Sequence, residues 1–296
     1  MLDFRTETFL AVCEEMNYTK AAAILNITQP AVSQHIRYLE NYYGTKLLEQ
    51  NGKKMRLTKQ GVLLRNALIT MKHDEILLRR SLKELPQEMS LVFGVTMTVG
   101  EYLVAKPLEK YLKKHSDTSI KMIADNTQAL LHKLDEGTID FALVEGFFSK
   151  NEYDFKVYDR EPFVAVCGNG YMDVKHGVEI DELLSHRLIV RERGSGTREI
   201  LERYLQEKNL RITDFKQVLE VGSIGVIKEL VMAGEGITFL YRVAVEKELE
   251  KGQIRQIQIH GFQLMHDITF IWRSGSIFAD HYKKLFDELR ESFPAV

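Results

Sequence analysis

The sequence predicts a helical N-terminal module, one long connecting helix and a C-terminal α/β domain of one or two lobes. Three observations predict this order. Residues 17–41 have the pattern of two short helices joined by a tight turn. Residues 59–85 contain no proline and repeat apolar residues at helical spacing, and from Met89 onward strands alternate with helices. The chain has 296 residues, 45% of them hydrophobic, so it can form two or three domains with packed cores.

The N-terminal module is predicted to begin with a helix that supports the two helices after it. Its apolar positions are Phe4, Phe9, Val12, Cys13 and Met16. The second helix runs from Thr19 to Leu25 and is ended by Asn26-Ile27-Thr28. Thr28 is a natural N-cap for the third helix, and Pro30 lies in its first turn, where a missing N–H costs nothing. The pattern therefore predicts a helix-turn-helix.

The third helix has two different faces. Its predicted apolar stripe consists of Val32, Ile36, Leu39 and Tyr43. Its opposite face is polar and consists of Pro30, Ser33, Gln34, Arg37 and Asn41. Such a face can enter a DNA groove, where Arg37 could bind a guanine edge. The alternative is an ordinary amphipathic hairpin whose outer face is solvated.

A basic β-hairpin is predicted after Gly44. Lys46–Glu49 and Met55–Leu57 have the pattern of short strands, and Asn51-Gly52 favours a tight turn between them. Between Asn17 and Gln60 there are seven cations and two anions, although the whole chain has a net charge of −2. A basic segment on an acidic body is typical of a DNA-binding module attached to another domain.

Four short runs carry a family resemblance: Phe9-Leu10-Ala11-Val12, Tyr18-Thr19-Lys20-Ala21-Ala22, Thr28-Gln29-Pro30-Ala31-Val32-Ser33 and Ile36-Arg37-Tyr38-Leu39-Glu40. Together they resemble the signature of LysR-type transcriptional regulators, densely from Tyr18 to Arg37 and more loosely to the C-terminus. The resemblance implies a winged helix-turn-helix over residues 1–58 that dimers place on operator DNA. One departure is Gln50, where the family usually has arginine, so one phosphate contact of the wing is in doubt.

The DNA-binding residues predicted from the helix-turn-helix of residues 18–37 and from the wing are Tyr18, Thr19, Thr28, Gln29, Pro30, Ser33, Gln34, Arg37, Lys53, Lys54 and Arg56. The lysines and arginine of the wing are expected to contact phosphates, which fixes the register on DNA without reading its sequence.

A long helix is predicted from Lys59 to about Leu85, capped by Thr58, within a linker segment 59–87 that ends near Pro86. Its length would be roughly 40 Å at 1.5 Å per residue. It is too apolar to stand alone. Packing against a second copy of the chain is the favoured interpretation, which the resemblance also implies, and packing onto the chain's own C-terminal domain is the alternative.

Strands and helices alternate through residues 88–296. The predicted strands are Leu91–Val95, Ile120–Ala124, Phe141–Val144, Leu188–Arg191, Val218–Val221, Ile237–Leu240 and His266–Trp272, with a further apolar run at Phe163–Cys167. The predicted helices are Val99–His115, Thr127–Glu136, Thr197–Lys208, Ser223–Ala233 and Phe278–Phe293. The resemblance implies two lobes like those of periplasmic binding proteins, with lobe I at about 88–162 and 267–296 and lobe II at about 163–266.

A ligand is expected in the crevice beyond the C-terminal ends of the strands. Three segments there begin helices with hydroxyl groups and free N–H groups, which attract anions. The predicted effector-binding residues are Thr96, Met97, Thr98, Ser195, Gly196, Thr197 and Ser223. The alternative is that these hydroxyls only cap helices. Glu145 is expected to face the crevice, either as a ligand-orienting group or as a solvated rim residue.

These segments predict a small anionic effector: a carboxylate, sulfate or phosphorylated metabolite. The run RERGSGTRE at residues 191–199 resembles the subset of LysR-type regulators tied to sulfur assimilation and carbon dioxide fixation. The predicted function is a sequence-specific DNA-binding regulator, a homodimer or homotetramer controlled by this effector. The alternative is a cytoplasmic small-molecule binding protein whose N-terminal helices contact other proteins.

Other functions find little support in the sequence. It has no Gly-x-Ser-x-Gly elbow, Walker lysine loop or His-Glu-x-x-His pair, so no enzyme, metal or cofactor is predicted. Cys13 and Cys167 are far apart in apolar runs and are predicted to be buried thiols, with a redox role as the alternative. No apolar run reaches membrane length, and the charged N-terminus differs from a signal peptide, so a soluble, cytoplasmic protein is expected.

Overall fold

The computed structural model describes residues 3–51, 54–83, 90–173 and 176–290. The N-terminal module contains helices α1 (Phe4–Glu15), α2 (Tyr18–Ile24) and α3 (Gln29–Tyr43), followed by strands β1 (Leu48–Asn51) and β2 (Lys54–Leu57). The two strands pair antiparallel as a wing. The predicted turn residue Gly52, the cation Lys53 and the linker residues Leu85 and Pro86 lie outside the described residues.

The ends of α3 follow the predicted chemistry. The Thr28 hydroxyl accepts a hydrogen bond from the Ala31 N–H at 3.3 Å, and Gly44 ends the helix at φ 65°, a conformation that favours glycine. Val32, Ile36 and Leu39 are buried against α1, as predicted. Tyr43 is 46% exposed, so its place in the apolar stripe was wrong. The last turn of α3 extends beyond the core formed with α1 and α2, and the Tyr43 ring contacts the neighbouring Tyr42 ring instead.

The long helix α4 (Lys59–Ser81) begins at the predicted cap, where the Thr58 hydroxyl accepts from the Gly61 N–H at 2.9 Å. One face of α4 packs on the chain's own C-terminal domain. The carboxylate of Asp74 accepts from the Ser276 hydroxyl at 2.6 Å and from the Ile277 N–H at 2.9 Å, and both Asp74 and Ser276 are buried. The intramolecular alternative is therefore correct for this face.

The C-terminal domain is built on one mixed sheet. Its strands are β3 (Ser90–Thr96), β4 (Ser119–Asp125), β5 (Phe141–Val144), β6 (Tyr153–Gly168), β7 (Arg187–Val190), β8 (Gln217–Glu220), β9 (Ile237–Tyr241), β10 (Ile254–Ile257) and β11 (Leu264–Arg273). Its helices are α5 (Ala105–Lys114), α6 (Thr127–Asp135), α7 (Gly196–Glu207), α8 (Ile224–Met232), α9 (Arg242–Glu250) and α10 (Ala279–Arg290). The strand order is β4-β3-β5-β11-β6-β9-β7-β8, and β10 pairs with β6.

Two long strands join the lobes. We call β3–β5 with α5, α6 and α10 lobe I, and β7–β10 with α7–α9 lobe II. Strand β6 pairs with β11 from residue 153 to 163 and with β9 from 163 to 167, so it runs from one lobe into the other. In lobe I, the rings of Phe93, Phe141 and Phe270 form a buried stack with centroids 5.0 and 4.6 Å apart.

Four elements differ from the prediction. The apolar run Phe163–Cys167 is only the end of β6, which already begins at Tyr153. The expected helix Val99–His115 is divided into a π-helical turn, Val99–Leu103, and α5. Pro107 has no N–H to complete an α-helical bond to the Leu103 carbonyl, which favours a break there. Helix α9 and strand β10 were not predicted. Within the described residues, no helix is both long enough and apolar enough to cross a membrane.

Candidate functional site

The N-terminal half of α3 presents a polar surface to solvent. Gln29, Pro30, Gln34 and Arg37 are exposed, and Ser33 is half-buried on the same side. Of the remaining predicted residues in this region, Thr19 and Thr28 are exposed and Tyr18 is half-buried. The outer face of α3 is therefore free to enter a groove while its inner face is held by the core.

The wing is tied to α3 by Glu40, a residue that was not predicted to have a role. The Glu40 carboxylate is buried and accepts from the Leu47 N–H at 3.1 Å and from the Lys46 ammonium at 2.6 Å. A signal was present, because Glu40 lies one helical turn after Ile36 on the apolar side of α3. In the wing, Lys54 and Arg56 are exposed on β2. Gln50, the departure from the family pattern, is exposed on β1 opposite Met55.

In the C-terminal domain, a buried carboxyl joins hydroxyls from both lobes. Oε1 of Glu145, directly after β5, accepts from Thr98 in lobe I at 3.2 Å and from Thr197 in lobe II at 2.7 Å. The Glu145 side chain is 1% exposed, so the alternative of a solvated rim residue is wrong. Burial raises the pKa of Glu145 because desolvation disfavours the charged carboxylate.

Several buried polar atoms around this carboxyl have no hydrogen-bond partner among the described residues. They are Glu145 Oε2, Thr96 Oγ1, Ser195 Oγ and Arg191 Nη1. Arg191 uses its Nε and Nη2 atoms to bind the Glu192 carboxylate at 2.8 and 2.9 Å. Buried polar groups are normally paired, so unpaired atoms at one place are typical of a binding site.

The lobes approach each other closely at this point. Gly196, at the start of α7, leaves no room for a side chain, because a Cβ there would lie 2.3 Å from the Glu145 carbonyl oxygen. The same carbonyl accepts from the Thr127 hydroxyl at 2.7 Å. At the edge of the contact, the Arg203 guanidinium of lobe II lies 3.3 Å from the centre of the Phe147 ring of lobe I. The cleft is therefore closed around Glu145.

The other predicted effector residues are placed differently. Met97 is half-buried and packs against the apolar cluster of lobe II. Ser223 is exposed and caps α8, where its hydroxyl accepts from the Val226 N–H at 3.4 Å, as the capping alternative describes. Beside Ser195 lies an open polar groove of about 490 Å³, also lined by Gln128, Arg193 and Arg198. Glu199 and Glu202 also line this groove, and Arg198 donates to Glu202 and Glu220, so the groove carries charges of both signs.

Both cysteines lie in surroundings that favour the neutral thiol. Cys13 and Cys167 are both buried, and burial raises their pKa values to about 12 and about 11, which disfavours the reactive thiolate. Among the residues that the structure describes, no three His, Cys, Asp or Glu side chains are grouped so that they could hold a metal ion.

Comparisons with known proteins cover nearly the whole chain. Residues 5–62 match the family described as bacterial regulatory helix-turn-helix protein, lysR family, and residues 86–294 match the LysR substrate binding domain. The transcriptional regulator CysL of Bacillus subtilis is 29% identical over 271 residues, which cover 90% of this chain and 89% of CysL. The RuBisCO operon transcriptional regulator of Allochromatium vinosum is 26% identical over 278 residues, covering 90% and 88%. The regulatory domain of CcmR from Synechocystis, solved in complex with 2-PG, has a TM-score of 0.61 at 18% identity and covers 69% of this chain and 96% of that chain.

A helix-turn-helix with an exposed polar helix, joined to a two-lobed α/β domain with a polar cleft, defines a DNA-binding regulator with a ligand-binding domain. The two matched regions identify the family, and the chain belongs to the LysR-type transcriptional regulators. The resemblance to the sulfur-assimilation and carbon-dioxide-fixation subset is confirmed by the similarity to CysL and to the RuBisCO operon regulator. The named relatives are regulators, which agrees with the prediction that the chain is not an enzyme.

Proposed function

We propose that the chain is a cytoplasmic regulator that reads operator DNA through the outer face of α3 and contacts the DNA phosphates through its wing. It responds to a small oxyanion bound between the lobes. The observation that carries the proposal is the set of unpaired buried polar atoms around Glu145. Glu145 itself binds hydroxyls of both lobes, in a chain that also has a helix-turn-helix module. For DNA, the candidate residues are those predicted on α3 and the wing.

Arg37 is expected to read a base. Its side chain is exposed on the outer face of α3 and can donate to a guanine edge through two parallel hydrogen bonds. Arg37→Ala should weaken binding to the promoter of the chain's own gene by about 1–3 kcal/mol and reduce the preference for it over random DNA. The measurement is a fluorescence-anisotropy titration with both DNA fragments.

Lys54→Ala supplies the matched control, because Lys54 is also an exposed cation but lies on the wing. It should weaken binding to both fragments equally. The slope of log affinity against log salt concentration should become shallower by about one, the value for one lost phosphate contact. If Arg37→Ala leaves the discrimination intact, the DNA-reading role of α3 is wrong, and a small-molecule binding protein with a protein-contacting N-terminal module becomes the better proposal.

For the effector, the candidate contacts are Thr96, Ser195 and Glu145. The Thr96 and Ser195 hydroxyls can donate to an oxyanion, and a protonated Glu145 can donate from Oε2 while Oε1 stays bound to Thr98 and Thr197. The Arg191 Nη1 atom adds a charged donor. The regulatory domain of CcmR, which shares this fold, was solved with 2-PG bound. Ligand binding at a contact between lobes would bias the equilibrium between open and closed forms.

The exposed apolar side of α4 supports assembly with a second copy. Leu63, Met71, Leu78 and Leu82 lie on one side of the helix at spacings of eight, seven and four residues, and they are 44–77% exposed. An apolar stripe of this length on a soluble helix is typical of a helix–helix interface. We therefore propose that the chain forms at least a homodimer through this stripe.

A further inference from the structure

A cavity of about 290 Å³ lies where the C-terminal end of α4 meets lobe I. Its walls come from α4, from the beginnings of β3 and β5, and from α10. Strands β3 and β5 are parallel, and the cleft around Glu145 follows the C-terminal end of β5. The cavity and the cleft therefore lie at opposite edges of the sheet, so this cavity is not part of the cleft.

Most of the cavity wall is apolar. The apolar lining residues are Leu77, Leu91, Phe141, Phe278 and Tyr282. Leu91, Phe141 and Tyr282 belong to the main core and are each less than 5% exposed, so this wall is fixed by packing. A cavity of this size and lining fits a molecule with one ring-sized apolar body.

The cavity lining also contains hydrogen-bond donors without a partner, together with the carboxylate of Asp140. Arg80 binds Asp140 through Nη1 alone, at 3.0 and 2.8 Å from the two carboxylate oxygens. Within the described residues, Arg80 Nε and Nη2 make no hydrogen bond, and the buried Tyr282 hydroxyl has no partner. Arg80 keeps 25% of its side chain exposed, so an anion bound there would stay partly solvated.

We propose that this cavity is a second ligand site, and that it takes a small carboxylate with an apolar, ring-sized body. The ring packs against Leu77, Phe141 and Phe278, and the carboxylate accepts from Arg80 and from the Tyr282 hydroxyl. Because the walls come from both α4 and lobe I, the bound molecule contacts both and holds them together. The site therefore stabilises the attachment of α4 to lobe I independently of the cleft.

The probe is phenylacetate, titrated into the full chain. The sequence contains a single tryptophan, Trp272, whose ring lies 6.0 Å from the Tyr282 ring, so its fluorescence reports on the cavity. We expect a saturable fluorescence change with phenylacetate, about tenfold weaker binding of 2-phenylethanol, and no change with acetate. Equal affinity for phenylacetate and 2-phenylethanol would overturn the carboxylate assignment, and the absence of saturation would overturn the site.

Three variants separate this site from simple destabilisation, with affinity measured by calorimetry. Arg80→Lys keeps a cation for Asp140 but removes the forked donors, and it should weaken phenylacetate by about tenfold while the melting temperature is nearly unchanged. Leu77→Phe should abolish binding by filling the cavity. Ser195→Ala, in the cleft, should leave phenylacetate affinity unchanged. Unaltered affinity in Arg80→Lys, or its loss in Ser195→Ala, would contradict the proposal.

Discussion

At the residue scale, we expect the protonation state of Glu145 to control anion binding in the cleft. It is buried between hydroxyls of the two lobes, and burial raises its pKa above the ordinary glutamate value of 4.5. The charged groups that act on it are Arg191, which favours the ionised form, and Glu192, which opposes it. The Tyr241 hydroxyl, whose own pKa burial raises well above its ordinary value, stays neutral beside it. A protonated Glu145 can donate to an oxyanion, whereas an ionised one would repel it.

We therefore predict that sulfate affinity falls as the pH rises through the raised pKa of Glu145. Sulfate is a suitable probe because its own charge is constant in this range. Glu145→Gln keeps a neutral hydrogen-bonding group, so it should bind sulfate about tenfold tighter than the wild type at high pH and show a much flatter pH profile. The measurement is calorimetric titration from about pH 5 to about pH 9.

The matched control is Glu229→Gln, which makes the same chemical change on the exposed side of α8 and should leave the pH profile of sulfate affinity unaltered. If sulfate affinity changes equally with pH in the wild type and in Glu145→Gln, another group controls anion binding.

The raised pKa of Glu145 also predicts that the free energy of unfolding decreases as the pH rises through that pKa, because the native state holds the proton more tightly than the unfolded chain.

The sequence predicts residue types at this site better than their partners. Thr98 and Thr197 were expected at the cleft because both follow strands and precede helices. Their common hydrogen bond to Glu145 could not be predicted, because it joins residues about fifty positions apart on each side and depends on how closely the lobes approach. Glu40 could have been predicted as a buried, paired residue, because the sequence alone places its carboxylate on the apolar side of a helix. Its partner, the Leu47 N–H, could not be predicted in the same way.

At the element scale, helices with a cap and a clear period were predicted well and weakly patterned elements were not. Thr58 and Thr28 mark the starts of α4 and α3 because each hydroxyl binds a nearby N–H, which is a local interaction. Strand β10 has only four residues and forms through its pairing with β6, which is distant in the sequence. The packing of α4 on the C-terminal domain also depends on distant partners such as Ser276.

The exposed side of α4 gives a prediction about assembly. Leu63 and Leu78 belong to the apolar stripe of α4 and are 72% and 44% exposed. The double variant Leu63→Glu/Leu78→Glu should weaken self-association by at least about a hundredfold, because each buried leucine contributes roughly 1.5–3 kcal/mol in each copy. Sedimentation velocity at several concentrations measures the effect.

Lys72→Glu is the control for this experiment, because it also adds negative charge to α4 but at an exposed position about 80° or more around the helix from the stripe. It should leave the oligomeric state unaltered. If the leucine variant sediments like the wild type, the stripe is not the interface between copies, and its apolar residues need another explanation.

At the scale of the whole molecule, the fold connects the cleft to the DNA-binding module through a short series of contacts. Strand β6 runs from lobe I into lobe II, and β11 pairs with its lobe I half, so we expect a change in lobe closure to be transmitted along them. Strand β11 leads directly to Ser276 and Ile277, which hold Asp74 on α4. Helix α4 in turn begins at the wing. Closure of the lobes and the position of α4 are therefore linked through continuous secondary structure.

Gly196→Ala tests this link because it acts only on closure. The added Cβ would lie 2.3 Å from the Glu145 carbonyl oxygen and 2.8 Å from the Thr127 hydroxyl, so the lobes must separate. We predict a larger radius of gyration by X-ray scattering and at least about tenfold weaker sulfate binding, since the two lobes can no longer contact one ligand. Gly225→Ala, where the nearest atom is 3.8 Å away, should change neither quantity. If Gly196→Ala scatters and binds sulfate like the wild type, then closure around Glu145 is not required for the ligand, and the signal to α4 must begin elsewhere in lobe I.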